Sequence, residues 1–172
     1  MLPRQPQVSP LRPAGHGTEG PAAAGVEQGP PRDLLQVAGW RGRKADGKVE
    51  HVTSCLIVDD SPYFRAAAQA ILESDGMDVV GTVATGAEAF DLIRRFDPEV
   101  VVLDVDLGTE NGFDIAGQLH TDPKTGQPCV VMVSTRSAEE YADRLDNSPV
   151  AGFLAKDALS GPSLEQFLAR RG

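Results

Sequence analysis

Only two cysteines and three histidines occur in the 172 residues. Cys55 and Cys129 each stand alone inside an apolar run, which fits neither a metal-ligand spacing nor a disulfide framework. Buried, reduced thiols are expected instead. His16, His51 and His120 are scattered and match no phosphotransfer helix and no metal set. No apolar run approaches the length of a membrane-spanning helix. The start of the chain lacks the basic residues and continuous apolar stretch of a signal peptide. A cytoplasmic protein without membrane contact is therefore expected. There is no internal repeat. Positive charge is also in short supply, with a formal net charge of −9. The imbalance is concentrated: residues 1–51 carry +2 and residues 52–172 carry −11. Such an acidic segment repels a phosphate backbone, which argues against direct DNA or RNA binding by that part.

The chain does hold enough apolar residues, 41%, to build one core of ordinary size. Residues 1–51 are a poor place for it. They contain seven of the 13 prolines, eight of the 18 glycines and a single aromatic, Trp40, and show no sustained periodicity. A disordered Pro/Gly-rich tail is expected there. Within it, Trp40-Arg41-Gly42-Arg43-Lys44 reads as a solvated linker patch.

From Cys55 onward, strands and helices alternate. Leu56-Ile57-Val58 and Val100-Val101-Val102-Leu103 are apolar without alternation, as strands covered on both faces must be. Met77–Ala84, Pro128–Val133 and Val150–Ala155 supply three more strands. Ser61-Pro62 offers an N-cap and a proline at the first helical position. Thr85-Gly86-Ala87-Glu88 and Ser137-Ala138-Glu139-Glu140 have the form of capping boxes. Asn111-Gly112 opens a helix, and Pro162 starts the last one. Five strands alternating with five helices predict right-handed crossovers and a mainly parallel sheet with helices on both faces.

The chemistry lies at the strand ends. In an open α/β sheet, ligands bind at the carboxyl edge. Asp59 and Asp60 end the first strand, Asp104 the third, Ser134 the fourth and Lys156 the fifth. If the first and third strands are neighbours, three carboxylates converge, which is costly unless a cation or a proton compensates. Taken singly, these positions read blandly: acids at a helix start, a surface hydroxyl, a solvated lysine, and at Phe153 a core aromatic.

Taken together, in this order, they resemble the receiver domain of two-component response regulators, over roughly residues 53–171. Phe153, three residues before Lys156, matches that family's aromatic switch position. The stretch Val58-Asp59-Asp60-Ser61-Pro62-Tyr63-Phe64-Arg65 and the Lys156-Asp157 pair look most like receivers usually fused to a helix-turn-helix output domain. A receiver without such an output domain is expected.

The resemblance implies a flavodoxin-like (CheY-like) α/β fold, a five-stranded parallel sheet in the order 2-1-3-4-5 flanked by five helices. It implies that Asp104 accepts a phosphoryl group from a sensor histidine kinase or a histidine phosphotransfer protein. Mg²⁺ would be the cofactor, held by Asp60, Asp104 and the backbone carbonyl of Asp106, with Asp59 acting through water. Lys156 and Ser134 would contact phosphoryl oxygens. Ser134 and Phe153 would then repack the surface of the fourth helix, fifth strand and fifth helix, toward a downstream protein target or a homodimer. Such a single-domain regulator catalyses its own phosphotransfer and dephosphorylation without being an enzyme in the usual sense.

Three positions depart from the family pattern. Gly108 replaces a common proline, Thr135 is larger than the usual small residue, and Asp106 adds a carboxylate. Arg136 is expected to pair with Asp106 over the phosphoryl group. Two rival readings are a receiver-like interaction module that is never phosphorylated, and a haloacid-dehalogenase-type phosphatase built on Asp104-Val105-Asp106. The second would leave Asp59 and Asp60 without a role.

Overall fold

The structure, a computed structural model, describes residues 42–45 and 48–171, with side chains from residue 51 onward. Of the tail expected over residues 1–51, residues 1–41, 46 and 47 lie outside the described residues. Within the remainder of that expected tail, Gly42–Ala45 and Lys48–His51 pair as an antiparallel hairpin, Gly42 opposite His51 and Ala45 opposite Lys48. The pair Asp46-Gly47 between them is a dipeptide favoured in two-residue hairpin loops, a short-range signal that composition alone obscures.

The main sheet is built from β1 (Ser54–Val58), β2 (Asp78–Val83), β3 (Val100–Asp104), β4 (Cys129–Ser134) and β5 (Gly152–Ala155). All neighbours are parallel and their order is β2-β1-β3-β4-β5, as the resemblance implied. The three inner strands are buried at every residue, whereas β2 and β5 form the half-exposed edges. That explains the unbroken apolar runs of β1, β3 and β4: each faces helices on both sides. Cys55 and Cys129 are free and buried. They flank Val100 from β1 and β4, two strand spacings or about 9.6 Å apart, beyond the reach of a disulfide. Burial pushes the Cys55 thiol up to about 12, so it stays protonated and inert.

The helices are α1 (Pro62–Ser74), α2 (Gly86–Phe96), α3 (Gly112–Thr121), α4 (Ala142–Asp146) and α5 (Gly161–Ala169). Their starts follow the expected caps. Ser61 Oγ accepts from the Phe64 amide, and Thr85 Oγ1 accepts from Glu88, whose carboxylate in turn accepts from Thr85 Oγ1 and the Ala84 amide. The α2 helix ends at Asp97 in the left-handed region (φ 44°), directly before Pro98. The α4 helix is short: a 3₁₀ turn, Ala138–Tyr141, takes the place of its first turn, and only five α-helical residues follow.

Two apolar layers sandwich the sheet. One packs Ala89 and Ile93 of α2 and Phe113, Ile115, Ala116 and Leu119 of α3 with Tyr141 against Leu56, Val101, Leu103 and Met132. The other packs Ala68 and Leu72 of α1 and Leu164 of α5 against Ile57, Val102 and Val131. Asp75, at the end of α1, accepts from the Gly161 amide at 2.7 Å, which joins the two helices of that second layer.

The chain leaves β3 through a small antiparallel pair, Asp106–Leu107 with Glu110–Asn111, turning at Gly108 in the left-handed region (φ +60°). It re-enters helix at Gly112, whose amide donates to the Val105 carbonyl at 2.8 Å. A Cβ at Gly112 would overlap the Asp104 carbonyl oxygen and crowd Met132 Cε, whereas one at Gly117 on the same helix would meet open space. Gly112→Ala is therefore expected to cost about 1–3 kcal/mol in urea unfolding. Gly117→Ala should be neutral or stabilising by up to about 1 kcal/mol. Equal effects of the two would contradict this account of the loop.

Candidate functional site

Five strand ends meet at the carboxyl edge of the sheet, and parallel register is what aligns them. Val58 pairs with Leu103, Asp104 with Val133, and Ser134 with Ala155, so the residue following each strand emerges at a similar height. Asp59, Asp60 and Asp104 each offer an oxygen within 4.8 Å of the others. Asp59 is completely buried and Asp104 is 4% exposed, while Asp60 faces solvent.

Lys156 compensates the two buried charges. Its Nζ lies 2.6 Å from Asp59 Oδ2 and 2.8 Å from Asp104 Oδ2, and 4.6 Å from the centre of the Phe64 ring. Burial alone would lower the lysine pKa, but the close contacts with the carboxylates of Asp104 and Asp59 outweigh it and hold the group above its usual range. Asp104 also moves upward, which for a carboxyl disfavours the charged form. Burial pushes its carboxyl up to about 6, opposed by the Lys156 hydrogen bond and reinforced by the charge of Asp59. At neutral pH the group is mostly ionised and more basic than an exposed aspartate.

The remaining contacts fix orientation. Asp59 Oδ1 accepts from the Ser61 amide at 2.8 Å, and the Asp59 carbonyl accepts from Arg65 Nη1 at 2.6 Å. Asp59 Oδ2 has no hydrogen-bond donor; the ammonium beside it is an ion-pair contact only. Asp104 Oδ1 accepts from the Asp106 amide at 3.3 Å. Three hard oxygen donors, one of them buried and without a hydrogen bond, suit a small divalent cation that prefers carboxylate oxygens. Glu110, on the loop after β3, accepts from the Gly86 amide at 3.0 Å and ties that loop to the start of α2.

Ser134 is buried, and its Oγ accepts from the Arg136 amide at 3.1 Å. Phe153 is half-buried on the same layer. Between them stands a residue that the sequence did not single out. Tyr141 has its hydroxyl 3.3 Å from Asp106 Oδ2 and 3.4 Å from Ser134 Oγ, and its ring lies 6.0 Å from that of Phe153. The pairing of Arg136 with Asp106 is expected only over a phosphoryl group. Among the described residues no ion pair joins them; the Asp106 carboxylate accepts from Tyr141, and Arg136 turns only its backbone amide inward. The phenol enters from the 3₁₀ turn. Arg65, Glu110 and Tyr141 act through contacts between segments 6 to 35 residues apart, and no local pattern marks them.

Residues 55–166 match the family model of the response regulator receiver domain. The nitrate/nitrite response regulator protein NarP of Escherichia coli (strain K12) is 36% identical over 104 residues, 60% of this chain and 47% of that protein. A protein-glutamate methylesterase/protein-glutamine glutaminase of Methanococcus maripaludis is 35% identical over 96 residues, 55% of this chain and 26% of that protein. The chain thus spans half or less of the length of the curated relatives it matches. Among solved structures, the chemotaxis response regulator CheY4 of Vibrio cholerae shares the fold, with a TM-score of 0.58 and 22% identity over 69% of this chain and 98% of that one.

A raised Asp104 pKa has a consequence for stability. The folded chain binds this proton more tightly than the unfolded chain does, so stability falls as pH rises from about 4 to about 6. Asp104→Asn removes the penalty. Denaturant unfolding at pH 7 is expected to show the variant more stable by about 1–2 kcal/mol, a shift of this size being partly screened. The difference should shrink toward pH 4, and a pH-independent difference would contradict the assignment.

Proposed function

Because the chain belongs to the response regulator receiver domain family of two-component systems, we propose that it is a phosphoacceptor module with Asp104 as the acceptor. The functional unit is residues 53–171. The observation that carries this reading is the bridging of Asp104 and the buried Asp59 by Lys156, at 2.8 Å and 2.6 Å. It holds an ionised carboxylate at the sheet edge with a cation beside the place where phosphoryl charge arrives.

In the reaction, a carboxylate oxygen of Asp104 attacks the phosphorus of a phosphohistidine on a sensor histidine kinase or a histidine phosphotransfer protein. The P–N bond breaks, and its electron pair and a proton remain with the imidazole. Transfer of this kind is mostly positioning and charge stabilisation. The Asp106 amide and Lys156 hold the two Asp104 oxygens in place, and the Ser61 amide and Arg65 fix Asp59. Mg²⁺ would be held by Asp60, Asp104 and the Asp106 carbonyl, with Asp59 through water; when bound it supplies positive charge to the transferred group. Lys156 stabilises one phosphoryl oxygen, and Ser134 donates to another.

The product adds negative charge at one point of the sheet edge, and the readout is the α4–β5–α5 surface, reached through Ser134 and Phe153. The net −11 of residues 52–172 supports a protein target, or a second copy, over nucleic acid. Among the described residues no helix is long and apolar enough to cross a membrane, which is compatible with a cytoplasmic partner. The phosphatase reading of Asp104-Val105-Asp106 is disfavoured, since it leaves Asp59 and Asp60, whose oxygens gather with that of Asp104, without a role.

Intact-mass spectrometry after incubation with acetyl phosphate and Mg²⁺ tests the proposal. One phosphoryl adduct is expected on the wild type, retained by Ser134→Ala and absent from Asp104→Asn and from samples without metal. A wild-type chain left unlabelled, beside a labelled control receiver, would point to a phosphorylation-independent interaction module.

A further inference from the structure

The space around Ser134 is not open for a simple exchange of places with Phe153. Tyr141 closes the 3₁₀ turn Ala138–Tyr141 and is only 8% exposed. Its ring packs against those of Phe113 and Phe153, with both centroids at 6.0 Å. Tyr141 thus neighbours both Phe153 and Ser134, and a turn of the one toward the other meets it.

The hydrogen bonds at the tip of that ring have a direction. The Asp106 carboxylate can only accept, so the Tyr141 hydroxyl donates to it at 3.3 Å. With the phenol proton committed, the 3.4 Å contact requires the Ser134 hydroxyl to donate to Tyr141 Oη. Ser134 Oγ in turn accepts from the Arg136 amide at 3.1 Å. The series runs Arg136 amide, Ser134, Tyr141, Asp106, and the one proton of Ser134 is spoken for.

We propose that Tyr141 is the latch of the unphosphorylated form: it holds the Ser134 hydroxyl, fills the path of Phe153, and must withdraw before the surface can repack. This rests on the reading of Asp104 as phosphoacceptor and adds a moving part to it. Both phenol contacts are at the long end of hydrogen-bond distances and are correspondingly weak. A bond from Ser134 to a phosphoryl oxygen is charge-assisted and stronger, so it outcompetes Tyr141. Once Ser134 leaves, the phenol loses its donor and keeps a single tether to Asp106. The element that carries it is a 3₁₀ turn followed by α4, the shortest of the five α-helices at five residues. Outward movement of Tyr141 then reshapes the α4 surface directly.

Beryllofluoride with Mg²⁺, a non-covalent phosphoryl mimic, probes the latch in the full-length chain. Tyr141→Phe keeps the ring and deletes the hydroxyl, and is expected to bind beryllofluoride about threefold more tightly than the wild type, the size of one weak hydrogen bond. The gain should vanish when Ser134→Ala is also present, because the latch acts through that hydroxyl; a merely structural effect would persist. With 3-fluorotyrosine at the two tyrosines, Tyr63 and Tyr141, the Tyr141 resonance should move on beryllofluoride addition in the wild type and stay fixed in Asp104→Asn. Unchanged or weaker binding by Tyr141→Phe, or an equal gain in the Ser134→Ala background, overturns the latch while Asp104 labelling stands. No binding of beryllofluoride by the wild type removes the phosphoacceptor reading, and the latch with it.

Discussion

Placing three carboxylates at one edge of a low-dielectric sheet is the costliest feature of this molecule, and Lys156 is what makes it tolerable. Its ammonium sits between a fully buried Asp59 and a nearly buried Asp104. A buried ion pair is rarely a source of stability in itself, because desolvation offsets most of the attraction. Both pKa values lie above their usual range, for different reasons: burial lifts that of Asp104 and disfavours its charge, whereas the contacts with both acids lift that of Lys156 and favour its charge. A site held this way is receptive to further positive charge beside the acids and to negative charge beside the lysine. Phosphoryl transfer with a divalent cation brings both.

The fold serves that arrangement by delivering side chains to fixed heights. Parallel pairing of fully buried β1, β3 and β4 leaves little freedom in register, since a one-residue slip would turn apolar side chains from one helical layer to the other. The loops then set direction. The Ser61 amide aims Asp59, the Asp106 amide aims Asp104, and the close approach of Gly112 to the Asp104 carbonyl draws the next helix tightly under the site. Glu110 extends the same loop to the start of α2. The region around Asp104 is therefore supported on several sides, whereas the Ser134–Tyr141 side rests on two long hydrogen bonds and a short helix. Stiffness around Asp104 beside softness at Tyr141 is the distribution that the proposed switch requires.

Much of this was legible in the linear chain because it is encoded locally. Val100–Leu103 shows no alternation because both faces are covered, and the strand position of Asp104 follows from the run that precedes it. Ser61-Pro62, Thr85 with Glu88 and Asn111 mark helix starts through bonds spanning two or three residues, and each forms as expected. The acids and Lys156 were legible as a set because successive strands of a parallel sheet end at one edge. The hairpin at residues 42–51 was passed over because the composition around it is that of a tail, and its only signal is one dipeptide.

What the sequence by itself determined is the alternation of strands and helices, the identity of the residues at each strand end, and through them the family. Tertiary structure alone decided who touches whom across the edge. Asp106 could face Arg136 or Tyr141, both plausible donors at similar remove along the chain; the 3₁₀ turn brings the phenol in and leaves the guanidinium exposed. Likewise nothing along the chain joins Tyr141 to Phe113 and Phe153, which meet only because α3, β5 and that turn share one apolar layer. Local bonds write themselves into spacing and residue type. Packing contacts between distant segments depend on how close the layers come, and that is known only once the sheet and both its faces are in place.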